Sequence, residues 1–136
     1  MMSIESADRS FDHVAIAVHS LDESAVVYEL LTGKSRSPTE VLEAQGVRVA
    51  FVGDVELLEP LDPDTTVGRF LERRGQALHH IAYRTDDIKR ELARLGAAGI
   101  RLIDTEPRPG ANGHQVAFLH PASTGGILVE LVQHAD

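Results

Sequence analysis

The sequence predicts an α+β fold in which two βαβββ modules, about 11–62 and 76–134, form one curved mixed sheet within a single domain of residues 1–136. Three observations carry this. Phe-Asp-His-Val-Ala-Ile-Ala at 11–17 is nearly copied by Ala-Leu-His-His-Ile-Ala-Tyr at 77–83, which sets His13 and His80 67 positions apart. Val49-Ala50-Phe51 recurs as Val116-Ala117-Phe118 at the same spacing. Val55-Glu56-Leu57-Leu58 recurs as Val129-Glu130-Leu131-Val132 at a spacing of 74, so the second copy carries seven extra residues before its last strand. One such module cannot bury a sheet alone, whereas two that pair can, and a chain of this length removes roughly 68% of its unfolded surface into a core.

Each element has its own signal. Residues 1–10 are polar and expected to fray, and Phe11–Val18 is a run of β-branched and small apolar residues, a buried strand carrying His13. Ser20-Leu21-Asp22-Glu23 fits a capping box, and Ala25, Val26, Tyr28, Leu30 and Leu31 are the apolar positions of a helix of about three turns that Gly33 ends. Residues 34–45 are a polar strand or loop. Gly46–Val52 and Asp54–Glu59 are strands joined by a tight turn at Gly53, the second carrying Glu56. Pro60 and Pro63 separate the modules, and Val67, Phe70 and Leu71 lie at helical spacing before Gly75.

The second module follows the same order. Leu78–Arg84 is a strand carrying His80, and Asp86 caps a helix whose Ile88, Leu92 and Leu95 line one face until Gly96 and Gly99. A short strand is expected around Ile100–Ile103. Thr105–Gly113, with two prolines and two glycines, reads as a loop, and His114–His120 and Ile127–Gln133 read as strands flanking the extra residues at Pro121–Gly126.

Composition narrows the class. The chain has no cysteine, which excludes a disulfide framework and any thiolate site and is compatible with a reducing cytoplasm. Its start has neither a basic nor an apolar run and no segment approaches the length of a membrane span, so a soluble cytoplasmic protein is expected. With 21 acidic against 13 basic residues, the net charge of -8 argues against a nucleic-acid partner. Arg73-Arg74 and Lys89-Arg90 fall on predicted helices, where a solvated face explains them.

The repeat also proposes chemistry. Each half contributes one histidine from its opening strand and one glutamate from its closing strand, so His13, Glu56, His80 and Glu130 are candidate metal ligands. Imidazole with carboxylate suits a borderline divalent ion such as Co, Ni, Mn or Zn better than Ca or Mg. A lone histidine at a strand start is more often a packed residue than a ligand. Ionisable residues at matching positions of two apolar strand pairs have no such packing rationale. Of the other histidines, His79 should face away from His80. His114 and His120 suit turn or edge roles, with a substrate contact as the alternative, and nothing marks His19 or His134.

Paired modules with one His and one Glu per half resemble the vicinal oxygen chelate superfamily, which includes glyoxalase I, extradiol dioxygenases and antibiotic-resistance proteins. The local blocks Val-Glu-Leu-Leu-Glu-Pro-Leu (55–61), Leu-His-His-Ile-Ala-Tyr-Arg-Thr-Asp-Asp-Ile (78–88), Glu-Pro-Arg-Pro-Gly-Ala (106–111) and Phe-Leu-His-Pro-Ala-Ser-Thr-Gly-Gly-Ile-Leu-Val-Glu-Leu (118–131) resemble the methylmalonyl-CoA epimerase family more narrowly. The resemblance runs from Phe11 to Gln133. It implies a glyoxalase-like fold, a divalent ion, Co²⁺ first among the borderline metals, on His13, Glu56, His80 and Glu130, an acyl-CoA thioester substrate and a homodimer. The implied reaction removes the proton α to the thioester, stabilises the enolate by a Lewis acid, and returns a proton on the other face, which requires two acid-base groups.

Glu130 is the first of these groups, as ligand and base. For the second, the family places a glutamate directly before the Gln-Gly-Val of its third strand, a position held here by Ala44 in Glu43-Ala44-Gln45-Gly46-Val47. Glu43 takes the role if a one-residue bulge re-aims it, and is otherwise a solvated charge. Asn112 and Ala122 stand where related sequences often have His and Lys, which bears on acyl or CoA contacts and not on the metal set. Two alternatives share the scaffold: a glyoxalase I-type isomerase (lactoylglutathione lyase) and a non-catalytic small-molecule-binding protein.

Overall fold

Alternation shapes the first strand: from His13 to Ala17 every odd residue is buried and every even one half-buried, the period of two that a sheet with unlike faces imposes. The computed structural model describes residues 10–136, so the expected fraying of the start lies outside the described residues except for Ser10, which opens β1 (Ser10–Ala17). The chain divides into two compact units, His13–His79 and His80–Asp136, the latter also including Ser10, Phe11 and Asp12.

In the unit His13–His79, β1 leads into α1 (Leu21–Thr32), then β2 (Glu40–Leu42), β3 (Val47–Val52), β4 (Val55–Pro60) and α2 (Thr66–Arg74). The Ser20 hydroxyl accepts from the Glu23 N–H at 3.2 Å and Gly33 closes the helix at φ 70°, as the capping pattern predicts. Gly53 (φ 61°) turns β3 into β4 through two residues, the expected hairpin. β4 runs parallel to β1, Ala15 beside Glu56 and Ile16 beside Leu57, and antiparallel to β3, Phe51 beside Glu56 and Ala50 beside Leu57. The sheet's two faces therefore differ. Ala50, Val52 and Leu57 pack with Val18, Leu21 and Ala25 of the helix side, while Ala15, Phe51 and Glu56 share the other face.

α1 departs from expectation. Leu21 and Ala25 are its buried residues, whereas Leu30 and Leu31 are 81% and 73% exposed. The helix meets the sheet through its first half and Tyr28, so apolar residues in its last turn find no sheet beneath them.

In the unit beginning at His80, the strand β5 (Ala77–Arg84) is followed by α3 (Ile88–Ala97), β6 (Arg108–Pro109), β7 (Gln115–Leu119) and β8 (Val129–Gln133). The registers repeat those of the first unit. β8 runs parallel to β5 with Ala82 beside Glu130, and antiparallel to β7 with Phe118 beside Glu130. Ile88 and Leu92 of α3 pack on Ala117, Leu119 and Leu131, with Leu95 alongside. Within the first unit the strands lie in the order β2-β3-β4-β1, and within the second in the order β5-β8-β7-β6.

Three local expectations are corrected. Asp87, not Asp86, caps α3, its carboxylate accepting from the Arg90 N–H at 3.1 Å. The strand expected at Ile100–Ile103 reduces to one bridge, Leu102 to Leu119. Its cause is Asp104, whose carboxylate takes the Phe118 N–H at 2.8 Å, while the N–H groups of Ile103 and Asp104 both donate to the Phe118 carbonyl at 3.0 and 3.1 Å, so the ladder cannot continue. The segment Thr105–Gly113 contains the strand β6, paired to β7 through Arg108 beside Val116. Pro109 is tolerated there because a proline at a sheet edge need not donate.

Candidate metal centre

In the first unit, His13 is 4% and Glu56 6% exposed. The parallel register that sets Glu56 beside Ala15 puts it on the face of His13, two residues back along β1. The His13 Nε2 stands 3.3 Å from Glu56 Oε1. The imidazole and the Phe51 ring form a T-shaped pair at a centroid distance of 5.3 Å and 86°.

The second unit reproduces this nearly atom for atom. His80 is 3% and Glu130 6% exposed, Nε2 and Oε1 are 3.7 Å apart, and Phe118 makes the T-shaped pair with the imidazole at 5.2 Å and 87°. The pair Val-Ala-Phe was visible in the sequence as a repeat, but its role was not. Each phenylalanine fixes the plane of one histidine.

Two carboxylates and two imidazoles at this depth carry a desolvation cost that packing alone does not repay. The 3.7 Å spacing is beyond a hydrogen bond, and the 3.3 Å spacing is at its far edge. Two ligand atoms bound at ~2.0–2.2 Å to one ion and subtending a tetrahedral or octahedral angle lie about 2.8–3.6 Å apart, close to what each pair shows. In the second unit His80 and Glu130 each offer one ligand atom within 4.8 Å of the other's. The donor set, nitrogen and carboxylate oxygen without sulfur, suits a borderline divalent ion.

Glu43 stands apart from these pairs in setting. It opens a 3-10 turn, Glu43–Gln45, and is exposed, with its carbonyl accepting from Gly46 (φ 70°) at 3.0 Å. The extended chain with a bulge, on which the sequence argument for Glu43 rested, is replaced by this turn. Ala44, in the middle of it, is also exposed.

The remaining histidines divide as their positions suggest. His79 is half-buried and packs edge-on against Phe70 of α2 at 4.9 Å. His120 caps the turn Pro121–Ser123 by accepting the Ala122 N–H on Nδ1 at 3.0 Å. His114 accepts the Ala135 N–H at 2.8 Å and stacks on His134 at 4.1 Å, and His134 in turn meets Asp12 at 2.6 Å. This group ties the chain's last residues to Asp12 of β1 and to His114, just ahead of β7. Nothing in the sequence flagged it, because its members are separated by up to 122 positions.

Comparison with known proteins bears on the whole chain. The sequence profile of the glyoxalase/bleomycin resistance protein/dioxygenase superfamily matches residues 12–118. The ethylmalonyl-CoA/methylmalonyl-CoA epimerase of Cereibacter sphaeroides is 38% identical over 128 residues, covering 90% of this chain and 96% of that protein. The mitochondrial methylmalonyl-CoA epimerase of Homo sapiens is 39% identical over 127 residues, covering 90% of this chain and 72% of its own length. A variant of the Streptomyces coelicolor methylmalonyl-CoA epimerase, solved in complex with 2-nitronate-propionyl-CoA, superposes with a TM-score of 0.87 at 38% identity, over 93% of this chain and 94% of that one.

Proposed function

Because the chain belongs to the methylmalonyl-CoA epimerase family of the glyoxalase/bleomycin resistance protein/dioxygenase superfamily, we propose that it interconverts the R and S forms of methylmalonyl-CoA, with His13, Glu56, His80 and Glu130 holding one divalent metal ion. The observation that carries the ligand assignment is the duplicated, buried His–Glu pair, 3.3 Å in one unit and 3.7 Å in the other. Co²⁺ is the metal we assign, with Zn²⁺, Ni²⁺ and Mn²⁺ as competitors for the same donors. The whole chain is read as one domain with one such centre.

When bound, a divalent ion supplies Lewis acidity toward the thioester oxygen, which makes the α-hydrogen acidic enough to leave as a proton. The chain's own residues do the rest. Burial of the two imidazoles against Phe51 and Phe118 holds their Nε2 atoms toward the carboxylates and keeps water from competing for the donors. Glu130, with one carboxylate oxygen near His80, is the group proposed to accept the proton on one face. Glu43 is proposed to serve the opposite face. It sits exposed on a short turn between β2 and β3.

The lactoylglutathione lyase and non-catalytic binding readings are not favoured, since the Homo sapiens and Cereibacter sphaeroides relatives, each matching nine-tenths of the chain, are epimerases and both His–Glu pairs are present. A cytoplasmic homodimer completes the proposal. No described helix is long and apolar enough to cross a membrane, and Val26, Val27, Leu30 and Leu31 of α1, 53–81% exposed, offer apolar surface to a second copy. Light scattering during size-exclusion should return twice the 14.8 kDa chain mass, and a monomer at every concentration removes the dimer.

The ligand set is tested by stripping the protein with a chelator and titrating in Co²⁺ while recording its visible absorption and epimerase activity. One equivalent should bring in both signals together. His80→Ala should abolish both, and activity that persists in the stripped protein contradicts the assignment.

A further inference from the structure

The block Glu-Pro-Arg-Pro-Gly-Ala at 106–111 has no part in the metal set, yet its arginine packs on a ring that touches one member of that set. Arg108 lies with its guanidinium carbon 5.5 Å from the centroid of Phe118, the same ring that makes a T-shaped pair with His80 at 5.2 Å. This cation and a proposed ligand therefore share one aromatic neighbour. Its Nε is 3.5 Å from Asp104 Oδ2, and Asp104 is itself anchored by the Phe118 N–H at 2.8 Å. The contact to Asp104 uses one edge of the guanidinium. The two terminal amino groups have no protein partner among the described residues, and the side chain is 45% exposed.

The backbone holds this arrangement stiffly. Pro107 and Pro109 flank Arg108, so two φ angles are fixed by rings and Arg108 itself is confined to extended conformations. Arg108 pairs with Val116 across β6 and β7. A Cβ at Gly110 would stand 2.7 Å from Val116 Cγ1, so glycine there lets the segment lie close on β7. A cation paid for in chain stiffness, set over an aromatic ring with its fork unfilled, in a chain of net charge -8, is a preformed receptor for an anion.

We infer that Arg108 binds an anionic oxygen group of the thioester substrate, so that it sets substrate affinity for the reaction proposed above. An acyl-CoA of this class offers two sources of that chemistry, the phosphates of CoA and the carboxylate of the acyl group. The inference rests on the acyl-CoA reading, and the test separates the two.

Arg108→Gln and Arg108→Lys, as metal-loaded proteins, are compared with the wild type on methylmalonyl-CoA and on methylmalonyl-pantetheine, which keeps thioester and carboxylate but has no phosphate. Binding of free CoA is measured by calorimetry. If Arg108 grips phosphate, Arg108→Gln raises KM roughly ten- to a hundred-fold on the CoA thioester alone and weakens free CoA to match. If it grips the carboxylate, KM rises on both thioesters and free CoA is unaffected. In either case kcat changes less than KM, and Arg108→Lys falls between, keeping the charge without the fork. KM within two-fold of wild type on both thioesters, with free CoA binding also unchanged, overturns the inference. Should Arg108→Gln fail to fold, the same criteria are applied to Arg108→Lys. A wild type inactive on both thioesters would sink the epimerase reading instead, and the calorimetric Kd of methylmalonyl-CoA and of methylmalonyl-pantetheine for wild type and Arg108→Gln would still decide this one by the same criteria.

Discussion

Glu43 and Glu130 are the same residue type in unlike settings, and the difference can be read kinetically. Glu130 is 6% exposed beside His80, whereas Glu43 sits exposed on a turn. Replacing Glu43 with Gln should leave bound metal unchanged and lower epimerisation by at least a hundred-fold, because a general acid-base group is worth about 10²–10⁴. Proton exchange at the α-carbon of the isomer that Glu130 serves should survive. Metal analysis with exchange measured separately on each isomer checks this, and wild-type turnover by Glu43→Gln would return the residue to a solvated charge. His13, His80, Glu56 and Glu130 were legible in the sequence because duplication sets each beside its twin. The ring contacts of Phe51 and Phe118, the cluster of His114, His134 and Asp12, and the poised Arg108 were not, since they depend on which strands come to lie side by side.

Among the elements, caps and hairpins were the readable parts and edges were not. Ser20, Gly33 and Gly53 behave as their types require because cap and turn geometry is local. β6 escaped notice because a proline-flanked pair of residues has no strand signal of its own and is made a strand by Val116 and Gln115 opposite. The choice between Asp86 and Asp87 as the α3 cap turned on one residue of backbone phase, which sequence alone does not resolve. Removing the Asp87 carboxylate with Ala should cost ~1 kcal/mol, about 3–5 °C in Tm for a chain of this size. Asp86→Ala should cost nothing measurable, and equal losses for the two in thermal unfolding would contradict the cap assignment.

At the scale of the whole molecule, fold class and element order followed from the internal repeat, and the parallel pairings β1 with β4 and β5 with β8 show what the repeat preserves. In each unit the closing strand returns beside the opening one, which delivers a glutamate to its histidine. A buried donor set left without its ion is a liability, so the metal should act as a folding ligand. At a free Co²⁺ concentration a hundred times its Kd, stability should rise by about 2.7 kcal/mol. Calorimetric Tm should increase accordingly in the wild type and stay fixed in His80→Ala, while an equal rise in both would place the metal elsewhere.

The account's central claim is that this chain removes and returns the proton between a thioester and a carboxylate at a metal-dependent centre. Mass-spectrometric deuterium incorporation at the α-carbon of methylmalonyl-CoA in D₂O, with stereochemistry followed in parallel, measures that step itself. Co²⁺-loaded protein should incorporate deuterium with inversion and chelator-stripped protein should do neither. Absence of exchange by fully loaded protein, or equal exchange with and without metal, would contradict the account.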